Sequence, residues 1–340
     1  MGGELSALSG GSRSLWLATL AAAAIVLGAC VLQRWPGDRR WWGAVITYAP
    51  QFVWPIVPAI ALAWSLAARS ALPGAVNAAV LLVALLGPTG LRVNLPAGHC
   101  ESDLTIATWN LLKLQHRAEE FAARLDGCDV ICLQEAEEVE LGELLEGYEQ
   151  ARERDARTLV RGRILSIERI RAEMPDLGPA LACEMEIGGR RLKVLNVHIE
   201  MSQPHMKYPY LRRLRRDYLR HTVRVREAQY DAILRWLEGQ DLPVVIAGDL
   251  NTPPPSRFYR AMRRRLTDCF AATGLGTGCT FLFRSLPLFR IDYVWLGAGL
   301  RPVCCRIDRA APSDHRPVFA EIEFTGETAA AEDEERSAAR

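Results

Sequence analysis

Six short apolar runs in the last two thirds of the chain each begin or end on a polar side chain, and this rhythm constrains the fold more than any other feature. LTIATWN (Leu104 to Asn110), VICLQE (Val130 to Glu135), GRRLKVLNVHIE (Gly189 to Glu200) and LPVVIAGDLN (Leu242 to Asn251) carry their polar residues at the end. RIDYVWL (Arg290 to Leu296) and HRPVFAEIEF (His315 to Phe324) carry them at the beginning. Runs this short and rich in β-branched residues are strands, and helix-like stretches between them predict an α/β sheet structure. If the last two strands run antiparallel to the others, Asn110, Glu135, His198, Asp249, Asn251, Asp292, Asp314 and His315 all meet at one sheet edge. Any one of them could be a turn former; eight together are hard to assign to coincidence.

The N-terminal hundred residues are of another kind. Before Gly98 the only acidic residues are Glu4 and Asp38, and Ala, Leu, Val and Trp dominate. Three hydrophobic stretches, about 15–32, 42–67 and 72–91, each approach the length needed to cross a hydrocarbon core of roughly 30 Å. The expectation is a membrane region over 1–98 with three transmembrane helices, a soluble domain over 99–325, and a polar, disordered tail over 326–340. Arg34, Arg39 and Arg40 in the first connection, by the positive-inside rule, favour a multi-pass membrane protein with a cytoplasmic domain. The bias is a few charges, so both orientations stay open. The net charge of +1 gives no global signal for nucleic acid. The nine cysteines include no C-x-x-C metal pattern; Cys269 and Cys279 could pair in an oxidising compartment.

The polar set defines a chemistry. There is no Gly-rich phosphate loop and no nucleophile elbow. Oxygen ligands from Asp and Glu suit a hard cation, Mg²⁺ with Mn²⁺ as a substitute, which can polarise a phosphoryl oxygen. Asp249 can orient and deprotonate a water. Asn251 and Asn110 can hold phosphate or water oxygens without adding charge. His315, with Asp292 to fix its tautomer, can neutralise a nonbridging oxygen.

The segments TWN, ICLQE, NVH, GDLN, RIDYVW and SDHRPV, in this order, resemble the endonuclease/exonuclease/phosphatase superfamily over roughly Leu104 to Phe324. The resemblance implies a four-layered α/β sandwich with two central mixed β-sheets, here preceded by the N-terminal transmembrane region. It implies that Glu135 is the main metal ligand, with Asn110 beside it and Asp314 as a further metal-side carboxylate. Asp249 would be the water-activating base, Asn251 would position the same phosphate and water, His198 would contact phosphate, and His315 would stabilise it with Asp292 behind. Leu112 stands where some nucleases of the superfamily carry an acidic residue, so a second metal site of that design is not expected. RGRILSIERI (Arg161 to Ile170) keeps only the ILS core of another superfamily strand and carries no assigned role.

Between the His198 and Asp249 strands lies a basic stretch, His205 to Gln229, where Arg212, Arg213 and Arg216 are candidate contacts for an anionic substrate or headgroup. The expected activity is that of a membrane-anchored phosphohydrolase, a phosphodiesterase first of all, with nucleic acid or a phospholipid or headgroup ester as substrate and the lipid bilayer as its other partner. Alternatives are a phosphomonoesterase on inositol or lipid-derived phosphates and a non-catalytic membrane module. No protein partner is inferable.

Overall fold

The computed structural model describes residues 10–94, 101–114, 117–137, 139, 146–172, 180–199, 216–309 and 312–325, without the side chains of 216–219. Twelve strands build two six-stranded sheets. In chain order they are β1 (Leu104–Asn110), β2 (Val130–Gln134), β3 (Glu149–Glu153), β4 (Ala156–Val160), β5 (Arg163–Ile170) and β6 (Ala180–Ile187). They continue as β7 (Arg190–His198), β8 (Val244–Asp249), β9 (Thr267–Asp268), β10 (Asp292–Leu296), β11 (Leu300–Ile307) and β12 (Val318–Phe324). One sheet has the order β11-β12-β1-β2-β4-β3 and the other β9-β10-β8-β7-β6-β5.

Each sheet contains one parallel pair, β1 with β2 and β7 with β8, and is otherwise antiparallel. The parallel pairs need crossovers, and the helices that serve as crossovers cover the outer faces. Helix α5 (Ala118–Leu125) buries Phe121, Ala122 and Leu125 against Trp109, Ile131 and Leu133 of the first sheet. Helices α6 (Arg216–Glu238) and α7 (Arg257–Arg263) bury Tyr230, Ile233, Phe258 and Met262 against Leu195, Ile246 and Trp295 of the second. The inner faces interdigitate Ile106, Val130, Cys132 and Ala320 with Cys183, Val194, Val245 and Val294. Helix, sheet, sheet, helix is the expected four-layered sandwich with two mixed sheets.

A polar bridge pins the two sheets beneath the site. Gln134 of β2 donates to Asn196 Oδ1 of β7 at 2.7 Å, and the Asn196 amide returns to the Leu133 carbonyl at 3.2 Å and the Arg157 carbonyl at 3.0 Å. Both side chains are fully buried. Every such bond must be made, because an unmet amide in this setting costs about 1–3 kcal/mol.

The N-terminal region corrects the three-span expectation. Helix α1 (Gly10–Arg34) is long and apolar enough to cross a membrane. The second stretch is broken into α2 (Trp41–Thr47), a 3₁₀ turn (Gln51–Val53) and α3 (Ile56–Ala67), with a bend of 73°. Pro50 and Pro55 at the break cannot supply backbone donors to a continuing helix. The third, α4 (Ala71–Leu86), has 16 residues, about 24 Å at the helical rise and short of the hydrocarbon core. Helices α1, α3 and α4 converge on buried Asn77, whose amide donates to the Thr19 hydroxyl at 2.9 Å and the Ser65 hydroxyl at 3.0 Å.

This region is tied to the sandwich by Asp38, the only acid between Glu4 and Glu101 and fully buried. Asp38 accepts from the Ser256 hydroxyl and, at 3.0 Å, from the Arg257 backbone N–H, at the start of α7. Cys269 and Cys279 are free thiols, both buried, so the pairing considered from sequence does not form.

Candidate active site

Parallel pairing places the ends of β1, β2, β7 and β8 at one edge, and antiparallel β10 and β12 bring their starts to the same edge. The register is direct: His198 lies opposite Asp249 across β7 and β8, and Asp292 lies opposite Asp249 across β10 and β8. The seven candidates Asn110, Glu135, His198, Asp249, Asp292, Asp314 and His315 thus come from both sheets to one place, with Asn251 two residues beyond β8.

Asp249 is the centre. It is 1 % exposed. Its Oδ1 accepts from the Asn251 backbone N–H at 2.8 Å and its Oδ2 from the Asn110 amide at 3.2 Å. Nε2 of His198 and of His315 stand 3.9 and 3.8 Å from the same Oδ2. Burial and the nearby charge of Asp292 push its carboxyl up to about 6, while the two histidines pull the other way. Gly248 makes this arrangement accessible: its φ is +149°, and a Cβ there would fall 1.9 Å from the Val197 carbonyl oxygen. Only glycine lets β8 approach β7 so closely beside the site.

His315 is held from the other ring nitrogen. Nδ1 lies 3.1 and 3.0 Å from the two Asp292 oxygens. Burial disfavours its charged form, but the Asp292 and Asp249 charges outweigh that and raise the ring to about 10. Backbone positions are fixed as well, with the Trp109 indole donating to the His315 carbonyl at 2.8 Å and the Ser313 hydroxyl to the Asn110 carbonyl at 2.8 Å. His198 has a parallel support. Its Nδ1 pairs with Asp155 Oδ2 at 2.8 Å, and although burial opposes charging, Asp155 and Asp249 raise the ring to about 9. The site therefore sets two histidine rings, each backed by a carboxylate and each biased toward its charged form, against one central carboxylate.

Asp249, Asp292 and His315 offer atoms within 4.8 Å of one another, a separation that a metal could bridge. Nδ1 of His315 is already engaged by Asp292, which leaves Nε2 as its one ligand atom for such an ion. The other carboxylates fit a cation better. Asp314 Oδ1 is buried without a hydrogen-bond partner among the described residues. Burial and the charge of nearby Glu135 raise the Asp314 carboxyl above its ordinary value. Glu135 itself sits at φ +48° just past β2, in a left-handed turn that swings its carboxylate to the Asn110 amide at 3.2 Å. An orphaned carboxylate oxygen beside a second carboxylate and a neutral amide is a donor set for a hard divalent cation.

Asn251, also left-handed at φ +45°, donates its amide to the Ile199 carbonyl at 2.8 Å. Arg212 and Arg213 lie outside the described residues, and so does Glu200. Arg216 opens α6, and its side chain is also outside them. From the same basic stretch Arg226 is buried, with its guanidinium 4.3 Å over the ring of Tyr48 just past α2, so it is not a solvated charge. Sequence reasoning missed Asp155 and Thr280. Asp155 lies between β3 and β4 beside left-handed Arg154, a turn with nothing to distinguish its acid from its neighbours. The Thr280 hydroxyl accepts from the backbone N–H groups of Ile291 and Asp292, both at 3.1 Å, and so sets Asp292 in place.

Solved structures share this architecture. A D. rerio TDP2 humanized by 14 mutations superposes with a TM-score of 0.51 at 17 % identity, over 65 % of this chain and 99 % of that one. A functionally unknown conserved protein from Enterococcus faecalis V583 gives 0.50 at 18 %, over 65 % and 100 %. The mannosyl-6-phosphatase Bt3783 of Bacteroides thetaiotaomicron VPI-5482 gives 0.50 at 17 %, over 65 % and 100 %. Identities this low speak to the fold alone. No curated protein matches the chain. The model of the Endonuclease/Exonuclease/phosphatase family matches residues 107–315, more than half of the chain and all eight candidate residues from Asn110 to His315, and the chain belongs to that family.

Proposed function

We propose that this member of a phosphoester hydrolase family is a membrane-anchored, divalent-metal-dependent phosphodiesterase, with its catalytic unit over 99–325 and its anchor in the N-terminal helices. One observation carries the reading: a buried carboxylate, Asp249, faces the Nε2 atoms of two carboxylate-backed histidines at 3.8 and 3.9 Å. A structural core gains nothing from such a cluster, whereas a phosphoryl centre with negative nonbridging oxygens is held by two cations next to a base.

In this scheme Asp249 Oδ2 orients a water toward phosphorus and takes its proton as the new P–O bond forms. Imidazolium His315 and His198 stabilise the nonbridging oxygens as charge accumulates on them. Asp292 and Asp155 hold the two rings in their protonated form and fixed orientation. Asn110 keeps Asp249 and Glu135 in register. Glu135 and Asp314, with Asn110 beside them, would hold Mg²⁺ or Mn²⁺, which when bound supplies Lewis-acid stabilisation of the phosphoryl and leaving oxygens.

Turnover of a generic aryl phosphodiester by the full chain, with Mg²⁺, Mn²⁺ and with EDTA, tests this. Asp249→Ala and His315→Ala should each abolish metal-dependent release. A folded wild type whose release survives both substitutions sinks the assignment. An aryl monoester assayed in parallel decides between diester and monoester specificity.

A further inference from the structure

Large apolar side chains left exposed are concentrated in the N-terminal helices. Leu20, Leu27, Trp35, Ile60 and Leu82 are examples from the N-terminal helices. From residue 93 onward, among the described residues, only Val93, Leu112, Leu165, Ile167, Leu275 and Leu286 remain. Three of these adjoin the helices. Val93 pairs with Leu275 in a short two-stranded ladder. Leu286 follows the turn of a hairpin whose strands are Phe281–Phe283 and Leu286–Phe289. At the hairpin base the Cys279 thiol donates to Gln51 Oε1 at 3.5 Å, and the second strand meets the 3₁₀ turn at Gln51–Val53.

The other side of this hairpin is the site. The Leu282 backbone N–H donates to the Asp314 carbonyl at 2.7 Å, and the Phe281 ring stands 5.2 Å from the His315 ring, edge to face. Arg284 and Ser285 form the turn at φ +48° and +68°, a left-handed pair that suits a tight hairpin. The sequence FLFRSLPLF is strongly apolar, yet none of its residues joins the three core clusters. An apolar segment that the core does not use and water still reaches marks a surface for another apolar phase. Basic residues gather where the N-terminal helices meet the sandwich. Arg34 at the end of α1, Arg39 and Arg40 after it, Arg263 at the end of α7 and Arg264 next to it are exposed, and Arg34, Arg39 and Arg264 lie close enough to act electrostatically on Arg260. Apolar tips bordered by arginines complement a bilayer, hydrocarbon below and anionic headgroups above.

We propose that the hairpin Phe281–Phe289 dips into the bilayer that receives α1, and that the site it flanks opens onto the headgroup layer and hydrolyses phosphoesters carried by membrane lipids. This rests on the membrane-anchored phosphohydrolase reading above. The reaction adds one water across a P–O bond, giving an alcohol and a phosphate monoester from a diester, and needs no further reactant. Beside the site, exposed Leu112 and Leu286 and half-buried Phe281 offer apolar contact among the basic side chains of Lys113 and Arg284, a mix that suits lipid tails under anionic headgroups.

The test uses the full chain in vesicles of phosphatidylcholine and phosphatidylglycerol. A photoreactive benzophenone residue at position 286 should form lipid adducts, and one at position 167, exposed on β5, should not. Wild type should release headgroup or lipid phosphate from the vesicles faster than it hydrolyses the matching water-soluble glycerophosphodiester. Leu286→Asp with Leu275→Asp should lower vesicle turnover by at least about a hundredfold, the loss expected from two large side chains no longer buried, while leaving aryl phosphodiester turnover unchanged. No adduct at 286, or cleavage of duplex DNA with vesicle lipid untouched, overturns the lipid assignment. Hydrolysis of every ester surviving Asp249→Ala overturns instead the catalytic reading on which it rests, and the adduct pattern is scored independently of that result.

Discussion

At the scale of single residues, the pairing of His198 with Asp155 makes a claim about pH. The ring's folded pKa of about 9 lies above its ordinary value of 6.5. Folding therefore favours the protonated form, so the stabilisation is complete below about pH 6.5 and fades as pH rises toward 9. Asp155→Asn should lower the melting temperature at pH 6 and flatten its decline between pH 6.5 and 9, a loss on the order of 1–3 kcal/mol at the acid end. Thermal melts across that range check it; parallel declines in wild type and variant would exclude the pairing as the cause. Glu135→Gln with Asp314→Asn should weaken Mg²⁺ binding by at least about tenfold, read by calorimetric titration, with little change in the melting temperature of the metal-free protein. Thr280→Val removes the hydroxyl that sets Asp292. It should lower kcat by roughly tenfold with KM little changed, since the hydroxyl acts through His315 and touches no substrate.

At the scale of elements, the strands were legible and the turns were not. Asn110, Glu135, His198 and Asp249 announce themselves because each ends a run of buried β-branched residues, where a polar side chain has no packing reason to be. Asp292 and His315 were legible for the complementary reason, once two strands had to run back. Asp155 gave no such signal, because an acid in a tight turn is ordinary, and only the pairing of β3 with β4 carries it to His198. The hairpin at Phe281–Phe289 was hidden by its turn, Arg-Ser where Asn-Gly would have declared it. In the N-terminal region the three apolar stretches coincide with helices, but Pro50 and Pro55 turn one expected span into a bent pair. Asp38 was also invisible, since its partners, Ser256 and Arg257, lie more than two hundred residues away. Asp38→Ala leaves the start of α7 without its buried acceptor, and should cost on the order of 2–3 kcal/mol. Because the Thr252 to Ser256 loop follows Asn251 directly, turnover should fall as well. Asp38→Asn, whose single Oδ1 can still accept from the Arg257 N–H while its amide faces the Ser256 hydroxyl, should restore part of each.

At the scale of the whole molecule, the candidate site belongs to neither sheet. Asn110, Glu135, Asp314 and His315 come with the first, His198, Asp249 and Asp292 with the second, and the buried Gln134 to Asn196 bridge lies beneath the seam. Local stretches of chain supply at most two of these groups each. On the proposed mechanism no half of the sandwich can hold a phosphate as the docked pair would, and anion affinity should appear only when both sheets have closed on each other. A ligand that binds only the complete state stabilises it by mass action. Inorganic phosphate or vanadate should thus act as a late chaperone for this chain, raising its refolding yield by trapping the docked sheets while leaving the early formation of each sheet untouched.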